Sequence, residues 1–265
     1  MEIIDSHCHA SPNWFEPVET VLDEMHRNGV SKTLLVQWSG EYDNSYLLEC
    51  KRRFPGRFSV IVNVNTGQAD ALEQAEKLVE QGAEGLRLRP ATRSPGRNPL
   101  AIWHKAAELG VPVSLLGSLA EFGAAEFDNL VKELPNLKIV IEHLGHMSGD
   151  GREKTAPPHE PVKKVLELAK HPNVYIKVHG LGEFATRSTV VQKPSPFSTV
   201  PALIEMTIDA FGPMRVMWGS DFPPVAGREG YRNALRLPMD TVSFKSYDDK
   251  EWVFGKTAST LWRFE

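Results

Sequence analysis

The sequence predicts an α/β protein built as a single (β/α)8 TIM-type barrel spanning residues 1–265. Three observations carry this. Short β-branched runs alternate with amphipathic helical segments along the whole chain. There are eight such runs in 265 residues, the size of one barrel of this kind. No Gly-rich turn follows the first run, as a doubly wound nucleotide-binding sheet would require, and two histidines stand there instead.

The strand candidates, in order, are IID at 3–5, TLLVQ at 33–37, VIVNV at 60–64, GLRLR at 85–89, VPVSLL at 111–116, IVIEH at 139–143, VYIKV at 174–178 and VMWGSD at 216–221. Between them lie segments with apolar residues at helical spacing. In PVETVLDEMHRNG, Val18, Val21, Leu22 and Met25 share a face and Gly29 is placed to end the helix. ADALEQAEKLVEQG repeats the pattern with Leu72, Ala75, Leu78 and Val79 before Gly82. LAIWHKAAELG, EFDNLVKELP, PVKKVLELAKH and ALIEMTIDAFG read the same way. DDKEWVFGKTASTLWRF is a last helix, broken or bent near Gly255. Two long polar segments, 146–160 and 181–200, follow strands and so belong to the catalytic face of a barrel.

Composition narrows the function classes. Apolar residues are 41% and charged residues 24%, which supports one well-packed globular domain. The net charge of −4 gives no broad attraction to nucleic acid or anionic lipid. No apolar run is long enough to span a bilayer. The N-terminus lacks the basic region and apolar core of a secretion signal, and the two cysteines, Cys8 and Cys50, form no disulfide framework. The expectation is a cytoplasmic protein acting on a small molecule, with a homo-oligomer left open.

The chemistry-bearing residues cluster at strand ends. His7 and His9 in DSHCH alternate to the same side at the close of the first strand, where two imidazoles reach one divalent ion. In IVIEHLGH, alternation sets Ile139, Ile141 and His143 on one face and Glu142 on the other, so His143 is read as the inward group. His146 lies in the following loop. Asp221 closes the last strand in WGSDFPP, pinned between Gly219, Ser220 and two prolines, and there it can ligate a metal or take a proton from water. VYIKVHGLGEF adds Lys177, His179 and Glu183; GLRLRPATR adds Arg87, Arg89 and Arg93, of which Arg87 and Arg89 share a face and suit an anion. Trp38, after the second strand, can stack on a substrate ring or simply pack. Each residue alone has an ordinary structural explanation: His7 and His9 can close a strand, His143 can bond a carbonyl, Asp221 can cap a helix. Their convergence on one rim is what points to a site. His26, His104, His159 and His171 fall on helices or loops and read as structural or solvated.

HxH closing the first strand, EHLG, and WGSDFP near the C-terminus resemble the amidohydrolase superfamily, in particular its amidohydrolase-2 branch of small-lactone hydrolases and aromatic-acid decarboxylases. The resemblance implies a distorted barrel with the site at its C-terminal rim, and a core of His7, His9 and Asp221, with His143 as a further ligand or proton-handling group. It implies one divalent metal ion, zinc first, although some lactonases of the branch work without a metal. The fifth strand, VPVSLLG, lacks the lysine that bridges two metals in many relatives, which argues against a binuclear site. The reaction expected is the opening of a small carboxylated or sugar-like lactone by metal-activated water, with Asp221 and His143 catalytic and Arg87, Arg89, His179 and Trp38 contacting substrate. Non-oxidative decarboxylation of an aromatic or enoic acid is the alternative.

Overall fold

A computed structural model describes residues 1–145, 159–190 and 196–265. Eight parallel strands follow one another around a barrel in chain order: β1 (Ile4–Cys8), β2 (Lys32–Val36), β3 (Phe58–Val62), β4 (Gly85–Leu88), β5 (Val113–Leu115), β6 (Ile139–Ile141), β7 (Val174–Val178) and β10 (Val216–Trp218). All eight overlap the runs read from the sequence, the first extending past the run at 3–5 to Cys8 and the last ending at Trp218, short of Asp221. Two further short strands, β8 (Thr186–Arg187) and β9 (Phe197–Thr199), pair antiparallel within the segment after β7. This is the (β/α)8 barrel expected. No helix among the described residues is long and apolar enough to cross a membrane.

The helices at Val18–Asn28, Ala71–Glu80, Ala101–Glu108, Ala125–Glu133, Glu160–Leu166 and Leu203–Phe211 match the amphipathic segments. Val18, Val21 and Met25 are buried as their spacing requires, and Gly29 ends its helix at φ 72°. Periodicity missed the helices at Ser45–Arg53 and Tyr231–Thr241; the second carries Pro238 in its interior.

The core has two compartments. Between strands and helices lies a large continuous apolar layer, including Leu35, Val60, Leu86, Val113, Ile139, Ile141 and Ile176. Inside the barrel, Ile4, Leu34, Val36, Ile61, Val140 and Met217 pack on Ala258 and Trp262 of the C-terminal segment. That segment switches to a π turn over Trp252–Lys256. Gly255 is the reason the chain fits there: a Cβ on it would overlap the carbonyl oxygen of Glu2.

The barrel closes between β1 and β10 through an irregular seam. Beyond Trp218 the chain runs beside β1, with Asp221 N donating to His7 O (2.9 Å) and His9 N donating to Phe222 O (2.8 Å). Gly219 is needed for this approach, since a Cβ there would lie 2.7 Å from the Cβ of His7. Asp5 fastens both sides. Its Oδ1 accepts from Ser220 N (2.8 Å) and His7 N (3.1 Å), and its Oδ2 accepts from the Tyr231 hydroxyl (3.0 Å). Burial pushes the Asp5 carboxyl up to about 6, opposed by its bonds to Ser220 and His7.

Replacing Gly255 by alanine should cost about 1–3 kcal/mol through overpacking against Glu2. Gly227→Ala, where nothing lies within 4 Å, should be near neutral. Urea unfolding midpoints of the two variants check this.

Candidate active site

The strand ends deliver a compact cluster at the C-terminal rim. Ile4 and His7 both face the interior, three residues apart, which strict alternation does not permit. The register irregularity between Asp5 and Cys8 supplies the extra residue. His9 follows just past the strand. The rings of His7 and His9 meet edge to face at 4.9 Å, and His7 lies 5.0 Å from each of His143 and His179. Asp221 stands at left-handed φ 56°, a conformation that aspartate tolerates better than most residues. Its Oδ1 lies 4.0 Å from His7 Nε2 and 3.8 Å from His9 Nε2.

The structure corrects the facing of β6. Ile139 and Ile141 pack outward on the helices, while Val140 points into the barrel. Glu142 is therefore an inward residue, reversed from the sequence reading. His143 nonetheless reaches the site because β6 ends at Ile141, and His143 and Leu144 adopt φ of 52° and 53°. Both residues converge on the rim through a left-handed turn that periodicity does not encode.

Glu142 organises a buried charge network beneath the histidines. It accepts from Arg87 Nη2 (2.7 Å) and Nε (3.2 Å) and from Ser114 Oγ (2.7 Å). Lys177 Nζ sits 3.0 Å from Ser114 Oγ, 3.2 Å from His7 Nδ1 and 4.0 Å from the carboxylate. Burial presses the Lys177 ammonium down to about 8 despite Glu142. Arg87 thus spends its guanidinium on Glu142 and on the carbonyl of Gln37 (2.9 Å). Arg89, beyond the end of β4, is partly exposed, with Nη2 3.9 Å from Glu121. The two arginines expected to share a strand face have different surroundings, although both border a cavity of about 130 Å³.

Each outer nitrogen partner sets what its histidine offers. His9 Nδ1 lies 2.7 Å from Val36 O, a bond that requires the Nδ1–H tautomer and leaves Nε2 as an acceptor facing Asp221. His143 Nδ1 lies 2.6 Å from Glu183 Oε1. Burial, then the positive field of Lys177, holds His7 well below the ordinary histidine range. Burial, then Arg87, takes His9 to about 3. Burial acts alike on His179, which stacks on His143 at 4.2 Å. For His143 burial is outweighed by Glu183 and Asp221, and its pKa is raised. Burial raises the Asp221 carboxyl to about 7, with His143 opposing.

The residues fit a divalent metal. His7 Nε2, both nitrogens of His179, Glu183 Oε2 and Asp221 Oδ2 are buried with no hydrogen-bond partner among the described residues. Buried polar atoms left unpaired this way are costly unless something fills the space between them. The ligand atoms of His7, His9 and Asp221 lie within 4.8 Å of one another, as do those of His7, His143 and His179 and those of His143, Glu183 and Asp221. Neutral imidazoles with a carboxylate suit zinc and other first-row ions, and outer bonds like those of His9 and His143 orient such ligands.

Two cavities of about 470 Å³ flank the cluster. One lies on the His9 side, walled by Trp14, Phe15 and Trp38. Phe15 stacks on His9 at 5.4 Å and Trp38 meets it edge-on at 5.5 Å, so Trp38 stands in the wall of that cavity. The other lies beyond Arg228. Arg228 Nη1 is 3.3 Å from Glu183 and 3.4 Å from Asp221. Sequence reasoning missed Arg228 because it sits in a turn seven residues past Asp221, and it assigned Glu183 no partner. His146 lies outside the described residues, as do most of segment 146–160 and part of 181–200. His104 and His171 sit on the outer shell beside Glu133 and Asp128, as expected of structural histidines.

The chain matches the amidohydrolase family over residues 4–264. It belongs to that family. It is 26% identical to an L-fucono-1,5-lactonase of Burkholderia ambifaria, over 99% of this chain and 96% of that protein. Among solved structures it superposes on a protein from Pseudomonas putida assigned as a 2-pyrone-4,6-dicarboxylic acid hydrolase, with TM-score 0.72, 22% identity and coverage of 98% and 97% of the two chains. An amidohydrolase of Burkholderia multivorans with bound zinc gives TM-score 0.74 at 18% identity, covering 98% of this chain and 99% of the other. The chain is an enzyme of that family, and its barrel is the fold of these structures.

Cutting Glu142 to alanine should cost about 3–5 kcal/mol, because Arg87 and Lys177 keep buried charges without a counterion. An Arg87→Met/Glu142→Leu double variant should lose less than Glu142→Ala alone. Chemical denaturation of both proteins tests the ordering.

Proposed function

We propose that this protein opens a small six-membered lactone by hydrolysis, using zinc at the His7, His9, His143 and Asp221 cluster. The observation that carries the reading is Asp221: a buried carboxylate with one oxygen lacking a hydrogen bond, within 4.0 Å of the Nε2 atoms of His7 and His9. The lactonase relative and the fold shared with a protein assigned as a pyrone hydrolase support a cyclic ester as substrate, since both named substrates contain one. His7 Nε2, His9 Nε2 and Asp221 would hold the ion, with His143 completing the set. When bound, a divalent ion supplies Lewis acidity and lowers the pKa of a nearby water.

The chain's own residues do the rest. Asp221 takes the proton as a water oxygen attacks the lactone carbonyl carbon. It returns that proton to the ring oxygen as the carbon–oxygen bond breaks, releasing an open-chain hydroxy acid. Glu183 fixes the His143 ring, and Val36 fixes His9. Arg228 places a positive charge 3.4 Å from Asp221. Trp38 and Phe15 wall one approach to the cluster.

A panel of 1,5-lactones assayed by acid release tests the reading. Wild-type protein should open at least one member, and Asp221→Asn should lower kcat by about 10²–10⁴-fold while leaving the unfolding midpoint within a few degrees. An Asp221→Asn protein with wild-type kcat would contradict the role. Carbon dioxide release from aromatic or enoic acids, with every lactone untouched, would move the assignment to decarboxylation.

A further inference from the structure

The cavity on the His9 side has room and walls that a single lactone ring does not account for. At about 470 Å³ it is large enough to hold a whole small ligand, while the reacting ring stands at the histidine cluster beside it. Three aromatic side chains line it. Trp14 is 70% exposed and Trp38 is 40% exposed, and Phe15 is half-buried. Trp38 is nearly perpendicular to both His9 (82°, 5.5 Å) and Phe15 (78°, 4.9 Å), and Trp14 meets Phe15 at 72° and 6.3 Å. The three rings therefore make a corner. A flat aromatic group seats in such a corner by stacking on one wall and meeting the next edge to face, the two arrangements that aromatic pairs prefer.

Exposed as it is, Trp38 is held in place from below. Three buried amide side chains brace the loop that carries it. Gln37 Oε1 accepts from Trp38 N (2.8 Å), and Gln37 Nε2 donates to Asp43 O (2.7 Å). Asn63 Nδ2 donates to Trp38 O and to Glu41 O. Asn44 Nδ2 donates to Tyr42 O (3.0 Å) and Asn63 O (2.9 Å). Exposed loops are ordinarily the mobile part of a rim. Here the carbonyls of residues 38, 41, 42 and 43 each receive a side-chain donor, so a ligand meets Trp38 without the cost of ordering the loop.

The polar groups of the wall narrow the chemistry of the guest. Gln37 has both ends of its amide engaged by the loop. Ser11 Oγ accepts from Asn13 N and Trp14 N (3.3 Å each), and Glu41 Oε1 accepts from Asp43 N (2.8 Å). A group dense in hydroxyls would set most of them against aromatic carbon, where unpaired polar groups are costly. A carboxylate would meet Glu41, a charge of the same sign in this wall. An uncharged aromatic ring meets neither obstacle.

We infer that Trp38, with Trp14 and Phe15, forms an aryl subsite, so that the lactone opened here carries an uncharged aromatic ring on its His9 side. Phe15 and Trp38 begin about one ring beyond His9, with centroids 5.4 and 5.5 Å from it, so the aryl group is fused to the lactone ring or bonded directly to it. Polar groups on the opposite edge of the ring lie outside this subsite. Trp38 is the specificity-determining residue, and Asn63 is a positioning residue that acts through it. This rests on the lactone reading above, and its test is a binding measurement that does not need turnover.

Calorimetric titration of the protein as purified with non-hydrolysable lactams provides that test. The probes are the bare ring 2-piperidone, its benzo-fused form 3,4-dihydroquinolin-2-one, its phenyl form 6-phenyl-2-piperidone, and a hexono-1,5-lactam as the hydroxylated contrast. At least one aryl probe should bind wild-type protein about tenfold or more tighter than 2-piperidone. Trp38→Ala should remove that advantage and Trp38→Phe should keep part of it, with the affinities for 2-piperidone and the hydroxylated lactam unchanged. Trp14→Ala, at a site 70% exposed where folding is not at stake, provides a second variant and should also reduce the advantage. Asn63→Asp, which removes the donor to Trp38 O, should weaken the aryl probes alone. Aryl probes that bind no tighter than 2-piperidone overturn the inference. Equal loss for aryl and bare rings in Trp38→Ala overturns it too, because that is the signature of a merely structural residue. Loss of the hydroxylated lactam in Trp38→Ala would make the corner a platform for sugar-like rings and likewise overturns it. If aryl lactams bind through Trp38 but no lactone is hydrolysed, the lactonase reading fails and the subsite stands.

Discussion

The site depends on how the barrel closes. Seven of the eight strand junctions are parallel ladders, of which β1–β2 carries the register irregularity, but β1 and β10 meet through loop backbone, with His7 and His9 exchanging bonds with Asp221 and Phe222. Asp5 holds this seam by accepting from both sides of it and from Tyr231. Metal-ready imidazoles and the general base are therefore neighbours through the same few hydrogen bonds that complete the fold. A weakness in the seam would misplace the chemistry before it unfolded the protein, because about 1 Å of displacement is enough to harm an oriented reaction.

Beneath the rim, electrostatics and packing oppose each other. Arg87, Glu142 and Lys177 are buried in the barrel, where uncompensated charge is expensive. Glu142 answers both cations, with Ser114 bridging to the lysine. Burial, aided by the positive groups next to His7 and His9, keeps those imidazoles neutral, the form that can donate a lone pair to a metal. On the far side of the cluster the balance reverses. Glu183 and Asp221 raise the proton affinity of His143, and Arg228 answers both of them. One rim thus presents two electrostatic halves, a lone-pair half at β1 and a proton-holding half between β6, β7 and the last turn.

Much of this was legible in the sequence. The alternation of β-branched runs with amphipathic segments located all eight strands, and the positions of His7, His9, His143, His179 and Asp221 at strand ends placed them together. What escaped was set by backbone exceptions. Glu142 faces inward because the register of β6 is the reverse of that suggested by reading His143 as the strand's last inward residue. His143 is redirected by a left-handed turn at a non-glycine residue, which periodicity cannot show. Arg87 looked like a substrate clamp because its partner, Glu142, is 55 residues away and had been assigned to the other face. Arg228 and Glu229 lie in a turn without pattern, which gave no sequence signal.

The central claim is that His7, His9 and Asp221 form a metal-binding hydrolytic centre. Elemental analysis of protein purified without added metal tests it most directly, repeated on a His7→Ala/His9→Ala variant whose folding is checked by circular dichroism. The account predicts about one equivalent of a divalent first-row ion per chain, zinc foremost, lost in the variant. Fully active wild-type protein without metal, or a variant that keeps its equivalent, would contradict it.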